Sequence, residues 1–305
     1  MRVDVEAVES LRFEDGSPVR AASAITRFGD GFLIAQDDAT AACWWRAGIG
    51  TPVRVLPPVD GHDTFSEAEH TKELKPDLEA ALHVTLDGEP AALLLGSGST
   101  PARMRAVLVG LRDGVPWTLS RDMSPLYARV GALLGLEPGQ LNLEGACVPE
   151  GSVRWFHRGR PGAGLPSASV DLDLVALVAA VAGRAEPGGL RATGVRTYGV
   201  GEVEGVGLAV TDAVTLPGSG VLVSAAAEDS PNAYDDGPVL GSALAVLDGT
   251  SVRASAALPR VGGRVAKIEG LALLDWSAHG GRVLAVVDED DPATASVLLT
   301  LRVSL

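Results

Sequence analysis

Cysteine and histidine are scarce in this chain, which contains 2 and 5 of them among its 305 residues. No CxxC pair and no Cys/His cluster occurs, so the spacing typical of a zinc site is absent. Cys43 and Cys147 each lie inside an apolar run. This placement predicts two buried thiols that do not pair.

Positive charge is also in short supply, since 25 Lys and Arg residues face 39 Asp and Glu residues, for a net charge of −14. Such a surface repels nucleic acid and anionic membranes, and it favours cations. No apolar run is long enough to span a bilayer, and residues 1–6 carry charges where a signal peptide needs an apolar core. We therefore expect a cytoplasmic, soluble monomer without nucleic-acid or membrane partners.

Turn-forming and apolar residues are plentiful, with 37 Gly, 19 Pro and 46% hydrophobic residues. One pattern recurs five times: a polar anchor residue, a short apolar strand, a turn, a second apolar strand and a polar cluster. The anchors lie 56, 65, 67 and 58 residues apart, and they are Ser23, Glu79, Glu144, Thr211 and Glu269. Each repeat has the length of a four-stranded blade, which predicts one all-β domain over residues 1–305, a five-bladed β-propeller with six blades as the alternative.

The last repeat shows only three strands, the third of which covers residues 297–301. The apolar segment 3–8 can supply the missing outer strand and close the ring.

Three segments depart from the pattern. Ser124, as an N-cap before Pro125, predicts a short helix. Residues 174–182 fit either a helix or a strand. Residues 60–76 form a charged loop, which is either functional or merely solvated.

The anchors should meet at one mouth of the central channel, because the first strand of each propeller blade lines that channel. Three glutamates around one axis repel one another, so either their pKa values rise or a cation lies among them. Oxygen ligands alone favour calcium, Ca2+, held by all five anchors. The alternative is that the glutamates cap strands or pair with Lys75, Lys267 or Arg158.

A second polar cluster follows the second strand of the second repeat, over residues 96–105. Its glycines let successive N–H groups face an anion, although the P-loop lysine is missing. The cluster predicts a site for a small anionic molecule bound by Ser97, Ser99, Arg103, Arg158 and Glu228. A flexible connection between strands explains residues 96–105 equally well.

Acidic residues end the second strand of the first and fifth repeats, and Asp37 and Asp288 are the candidate catalytic acids that would activate water. Turn formation is the alternative for the aspartates at 37–38 and 288–291. His157, beside Arg158, fits a structural role better than a catalytic one. The serines lack the nucleophile-elbow pattern, so a serine-hydrolase triad is not supported.

Several segments resemble an uncharacterised bacterial propeller family that is grouped with phytase-like and esterase-like propellers. They are Lys75-Pro76-Asp77-Leu78-Glu79, Gly96-Ser97-Gly98-Ser99-Thr100, Leu141-Asn142-Leu143-Glu144-Gly145-Ala146 and Ala225-Ala226-Ala227-Glu228-Asp229. The resemblance covers nearly the whole chain, and it implies the fold more than a function.

The blade pattern is also similar to that of the calcium-activated nucleotidases, or soluble apyrases. In that family a central calcium is ringed by Ser and Glu residues, one from each blade, and the five anchors fall at those positions. Thr211 replaces a serine there and keeps the hydroxyl. The residues that bind the nucleotide in that family have no counterpart that we can identify in this sequence.

These observations support a calcium-dependent hydrolase of a phosphate ester or anhydride. A non-catalytic propeller that binds a small anion is one alternative. A hydrolase of a carboxylic ester or lactone that uses the same metal is another.

Overall fold

The structure is a computed structural model that describes residues 1–218, 220–228, 237–289 and 294–305. Five antiparallel four-stranded sheets form the five blades of a β-propeller, which confirms the predicted fold class and the predicted number of blades. Across these described ranges, no helix is long and apolar enough to cross a membrane.

The strands follow one another along the chain, blade by blade, after an N-terminal strand β1 (Arg2–Ser10) that joins the fifth blade. The first blade contains β2 (Ala22–Phe28), β3 (Gly31–Gln36), β4 (Ala41–Arg46) and β5 (Ile49–Arg54). The second contains β6 (Leu78–Leu86), β7 (Glu89–Gly96), β8 (Arg105–Arg112) and β9 (Val115–Asp122). The third contains β10 (Leu143–Cys147), β11 (Ser152–His157), β12 (Ser167–Asp173) and β13 (Ala192–Tyr198).

A two-stranded hairpin separates the third and fourth blades, formed by β14 (Glu202–Val203) and β15 (Val206–Gly207). The fourth blade contains β16 (Ala209–Thr215), β17 (Val221–Glu228), β18 (Val239–Asp248) and β19 (Ser251–Ala257). The fifth contains β20 (Ile268–Ser277), β21 (Gly280–Val287) and β22 (Val297–Ser304). Two helices, α1 (Ser124–Leu134) and α2 (Leu174–Val181), follow β9 and β12.

The hydrophobic core lies mainly between blades, because each sheet buries both faces of its inner strands against its neighbours. One cluster, for example, joins Leu33 and Val53 of the first blade to Leu94 and Val107 of the second. The outer strands are largely exposed, as along β9 and β19. Both cysteines are buried and unpaired, as predicted.

The N-terminal strand closes the ring as predicted. β1 pairs antiparallel with β22, from Arg2 opposite Ser304 to Ser10 opposite Val297, with one irregularity between Val5 and Ala7. This pairing covers the edge of β22, which would otherwise present unpaired backbone groups.

The segment that begins at Ser124 is helical, as predicted, and the ambiguous segment 174–182 is helical as well. The first helix begins at Ser124 with Met123 as N-cap, so the prediction that Ser124 is the cap was wrong by one residue. The backbone N–H of Ser124 donates to the Asp122 carboxylate, 2.8 Å away. In α2 the Asp173 carboxylate accepts the N–H of Ala176 at 2.7 Å, an N-cap that favours the helical form of residues 174–182.

All five anchors lie at β-bulges of the inner strands. The pairing register shifts across residues 22–24, 78–80, 143–146, 210–212 and 268–270, each time at an anchor. A bulge inserts an extra residue and re-aims its side chain. The residue after the anchor is Gly145 in β10 and Gly270 in β20, where a Cβ atom would lie 2.4 Å and 2.8 Å from the next inner strand.

Candidate functional site

A cavity of about 380 Å³ opens at the mouth of the channel, where the bulged ends of the inner strands meet the loop over residues 60–76. We call it the mouth cavity. Thirteen of the eighteen side chains that line it are charged, eight acidic and five basic. Its lining residues are Ala21, Ala22, Ser23, Asp37, Glu67, Lys72, Glu73, Lys75, Asp77, Glu79, Thr100, Arg103, Asn142, Glu144, Arg158, Lys267, Glu269 and Asp288.

Two anchors carry hydroxyl groups, and both tie one blade to the next. Ser23 Oγ donates to the carbonyl oxygen of Leu78 at 2.5 Å, and Thr211 Oγ1 donates to that of Ile268 at 2.6 Å. Each acceptor directly precedes the anchor of the following blade. Ser23 lines the mouth cavity, whereas Thr211 is 1% exposed and lies outside its lining.

The three glutamate anchors all line the mouth cavity but differ in their partners. Glu144 pairs with Arg158 at 3.0 Å, and Glu269 pairs with Lys267 at 3.0 Å. For these two residues the alternative of ion pairing is confirmed. Glu79 makes no hydrogen bond and no ion pair with any residue that the structure describes.

The glycine-rich loop encloses a carboxylate of the protein itself, that of Asp77. Lys75 Nζ lies 2.7 Å from one carboxylate oxygen of Asp77, and Arg103 Nη1 lies 2.9 Å from the other. The Ser97 hydroxyl donates to Asp77, and Ser99 Oγ accepts from Arg103 at 2.9 Å. These five residues form the Asp77 cluster.

The two cations of the Asp77 cluster stabilise its one carboxylate, and Asp37 supplies a second carboxylate to Lys75. Burial disfavours the ionised form of Asp77, but Lys75 and Arg103 outweigh it and lower the pKa of this carboxyl below its usual value. Ser97 and Ser99 are buried behind the cavity lining. Side chains, those of Ser97 and Arg103, therefore hold the Asp77 carboxylate. The backbone N–H groups of residues 97–99, which were predicted to face an anion, donate instead to the backbone oxygens of Asp77 and Arg103 and to Ser97 Oγ.

Other ion pairs extend around the mouth. Lys75 also contacts Asp37 at 2.7 Å, while Arg158 and Lys267 converge on Glu228 at 2.5 Å and 3.2 Å. Glu228, predicted to bind a ligand, lies behind these two cations rather than in the cavity lining. Because Lys72 pairs with Glu67 at 2.7 Å, every basic residue of the lining has a carboxylate partner.

Unpartnered carboxylate oxygens remain on one part of the wall. Glu144 Oε1 accepts from Asn142 Nδ2 at 2.9 Å and from Arg158, but Glu144 Oε2 is buried without a hydrogen-bond partner among the described residues. Burial raises the pKa of Glu144 to about 7 despite Arg158. Burial and the charges of Asp77 and Asp37 raise the pKa of Glu79 well above its usual range. We call Glu79 and Glu144 the open glutamates.

Carboxylate oxygens also converge beside Glu79, where one oxygen each of Asp37, Asp77 and Glu79 lies within 4.8 Å of the other two. The Lys75 ammonium group already contacts the two aspartates. Glu79 is therefore the member of this group whose charge has no direct partner among the described residues.

The two predicted catalytic acids line the same cavity. Asp37 accepts from Lys75, and Asp288 accepts from Ser296 Oγ at 3.3 Å. Asp229, Asp290 and Asp291, which belong to the predicted polar clusters, lie outside the described residues.

His157 is 2% exposed and lies outside the cavity lining. Its Nδ1 atom lies 3.0 Å from the backbone oxygen of Asn142, and burial lowers its pKa to about 4. This environment fits the structural role expected of it.

Sequence reasoning missed Asn142 and Thr100 and gave no role to the Asp77 side chain. The usable signals were the position of Asp77 two residues before an anchor, between Lys75 and Glu79, and the position of Asn142 two residues before Glu144. Because residues i and i−2 of an extended strand point to the same face, the residue two positions before an anchor can face the channel mouth with it.

No curated protein matches the sequence. Among solved structures, a mannose phosphorylase from Leishmania mexicana in complex with phosphate ion is similar, with 14% identity, a TM-score of 0.49, and coverage of 97% of this chain and 88% of that one. A hypothetical protein from Leishmania major is 11% identical, with a TM-score of 0.47 and coverage of 99% and 91%. A protein of unknown function from Dyadobacter fermentans is 13% identical, with a TM-score of 0.42 and coverage of 99% of each chain.

The sequence of residues 71–292 matches the model of a protein family described as a family of unknown function, DUF6910. The matched part runs from the charged loop to the end of β21 in the fifth blade and includes four of the five anchors. The match agrees with the expectation of an uncharacterised propeller family, whereas the likeness to calcium-activated nucleotidases rests on the anchor positions alone. Because the match covers well over half of its length, the chain belongs to the DUF6910 family.

Proposed function

We propose that the mouth cavity is the active site of a calcium-dependent hydrolase and that the open glutamates hold the cation. The observation that carries this proposal is their unpartnered oxygens on one wall of a cavity in which every lining basic residue is already paired. Such oxygens need either a proton or a cation. Calcium suits this wall because it accepts oxygen ligands in irregular arrangements.

The residues fit this ion in part. Glu144 Oε2 is a buried acceptor without a donor, and Ser23 keeps its oxygen lone pairs while its proton goes to Leu78. Glu269 can contribute an oxygen beside Lys267, whereas Thr211 lies outside the lining. The cation site that we propose is therefore held by four anchors, centred on the open glutamates.

When bound, the ion would polarise the scissile phosphoryl or carbonyl group of the substrate. Asp37 and Asp288, on the same lining, accept the proton of the attacking water. Lys75, 2.7 Å from Asp37, orients that carboxylate within the cavity lining. Arg103, Arg158 and Lys267 place positive charge around the oxygen on which negative charge develops.

A phosphate ester or anhydride is the first substrate class that we propose, because five basic side chains line the cavity. A carboxylic ester or lactone is the second. It is favoured by a different observation, the pairing of all five basic residues with carboxylates, which leaves little attraction for a multiply charged group.

The test is a hydrolysis screen with p-nitrophenyl phosphate, ATP, p-nitrophenyl acetate and a simple lactone, each with calcium and with EGTA. We expect calcium-dependent turnover of at least one substrate and its loss in Glu79→Gln and Glu144→Gln. Glu89→Gln, at an exposed position at the start of β7, is the matched control. Turnover that survives EGTA, or that is equally reduced in the control, would contradict the proposal.

A further inference from the structure

Three residues that line the mouth cavity carry buried polar atoms, and together these atoms include both hydrogen-bonding types. Arg103 Nε can only donate, Glu144 Oε2 accepts when ionised, and Thr100 Oγ1 can do both. None of the three atoms has a hydrogen-bond partner among the described residues, and all three residues line the cavity. Arg103 and Glu144 are only 7% and 5% exposed, so bulk water does little to satisfy them.

These atoms restrict the chemistry of whatever fills the cavity. A bare cation satisfies the carboxylates but not the Arg103 donor, and a phosphate group satisfies the donor but repels the carboxylates. A hydroxyl group both donates and accepts, so several hydroxyls on one small frame can satisfy all three atoms.

The charges of the cavity lining also favour a neutral polar ligand. Eight acidic and five basic side chains line the cavity, and each basic one is paired with a carboxylate. An anion would have to break these pairs, whereas a neutral polar ligand can bond to them in place. The volume of about 380 Å³ suits a small molecule.

We propose that the mouth cavity binds an uncharged polyhydroxylated compound of monosaccharide size. Its hydroxyls accept from Arg103 and donate to the carboxylate lone pairs of Glu79 and Glu144 that the proposed cation leaves free, while Thr100 bonds to a further hydroxyl. The inference rests on the proposed function, since it uses the same cavity and selects the second of the two proposed substrate classes, an ester or lactone of such a compound.

The experiment is saturation-transfer NMR and calorimetry of the full chain with glucose, mannose, galactose and myo-inositol, beside inorganic phosphate and AMP. Thr100→Val removes one hydroxyl at nearly constant volume, and Thr118→Val makes the same change on the outer strand β9. We expect at least one neutral compound to bind more tightly than phosphate and AMP. Thr100→Val should weaken it roughly fivefold to tenfold, the worth of one hydrogen bond, and Thr118→Val should not.

Binding of phosphate or AMP alone, binding of no compound, or equal weakening by both variants would overturn the inference. Its failure can be told from failure of the proposed function. Calcium-dependent hydrolysis without binding of any neutral polyol contradicts only the ligand class. Polyol binding without calcium-dependent turnover contradicts only the hydrolase.

Discussion

Two carboxylates that lie two residues apart at the channel mouth have opposite environments. Asp77 is held by Lys75 and Arg103 at 2.7 Å and 2.9 Å and accepts from the Ser97 hydroxyl. Glu79 has no hydrogen bond or ion pair within the described ranges of the chain. The pKa of Asp77 is lowered, and that of Glu79 is raised, although both residues line the same cavity.

The difference separates a structural cluster from a candidate site. The charges of the Asp77 cluster are matched inside the protein, so nothing from outside is needed to stabilise it. Glu79 has no ion-pair partner among the described residues, and Glu144 keeps one buried oxygen that neither Arg158 nor Asn142 satisfies. Both features cost folding free energy unless a ligand or proton compensates. Such uncompensated groups are typical of functional sites.

Removal of the Asp77 carboxylate should have the largest effect on stability. Asp77→Ala leaves the Lys75 and Arg103 charges buried without this partner, and we expect a loss of about 3–5 kcal/mol in the free energy of unfolding. Urea denaturation measures it, with the exposed Asp30→Ala as the matched control. A loss no larger than that of the control would remove the distinction between the two carboxylates.

The pH dependence of stability should separate them next. Glu144 has a folded pKa of about 7 against a usual value of 4.5, so the folded state binds the proton more tightly. In metal-free protein the Glu144 contribution to stability therefore falls as pH rises from about 4.5 to about 7. Asp77 has a lowered pKa, so its contribution is present above pH 3.8 and is lost on further acidification.

Chemical denaturation over pH 3–8 tests both directions. Glu144→Gln should reduce the loss of stability between pH 4.5 and 7 but leave the loss at acidic pH unchanged. Saturating calcium should have the same effect on the native protein. An unchanged profile in this variant would show that the wall carries no buried, titrating glutamate.

Neutralising Glu79 should act in the opposite direction to the Asp77 substitution. Glu79→Gln removes an unpaired carboxylate, so at pH 8 without metal we expect stability to rise by on the order of 1 kcal/mol. Thermal melting in EGTA measures the change. Destabilisation comparable to that of Asp77→Ala would mean that Glu79 is held by the structure after all.

The smallest effect should come from the hydroxyl of Ser97. Ser97→Ala removes one donor from Asp77 but leaves both cations in place, so a loss of about 1 kcal/mol is expected. Denaturation in urea can resolve it. No measurable loss would show that the two cations alone stabilise Asp77.

The sequence was sufficient to predict the five blades, the place of four of the five anchors at the channel mouth and the closing strand β1. These features depend on periodic apolar runs and on turn residues, which are local signals. Residues 174–182 could not be assigned from their apolar composition, although Asp173, immediately before them, is the side chain that caps α2.

The partners of the anchors could not be predicted in the same way. Lys75 was one of three alternative partners for the glutamates, yet it contacts Asp37 and Asp77. The bulge at Glu79 and the left-handed backbone of Asp77, with φ 55°, decide which carboxylate faces the ammonium group. Such backbone irregularities leave little trace in residue periodicity.

Calorimetric titration of chelator-treated protein with calcium is the most direct test of the central claim. That claim is that the open glutamates bind a cation. We expect a single calcium ion to bind and to raise the melting temperature by mass action. Glu79→Gln and Glu144→Gln should each weaken binding at least tenfold, while Glu89→Gln should not. Absence of calcium uptake and of any thermal shift in the native protein would contradict the account, and the open glutamates would then be stabilised by protons alone.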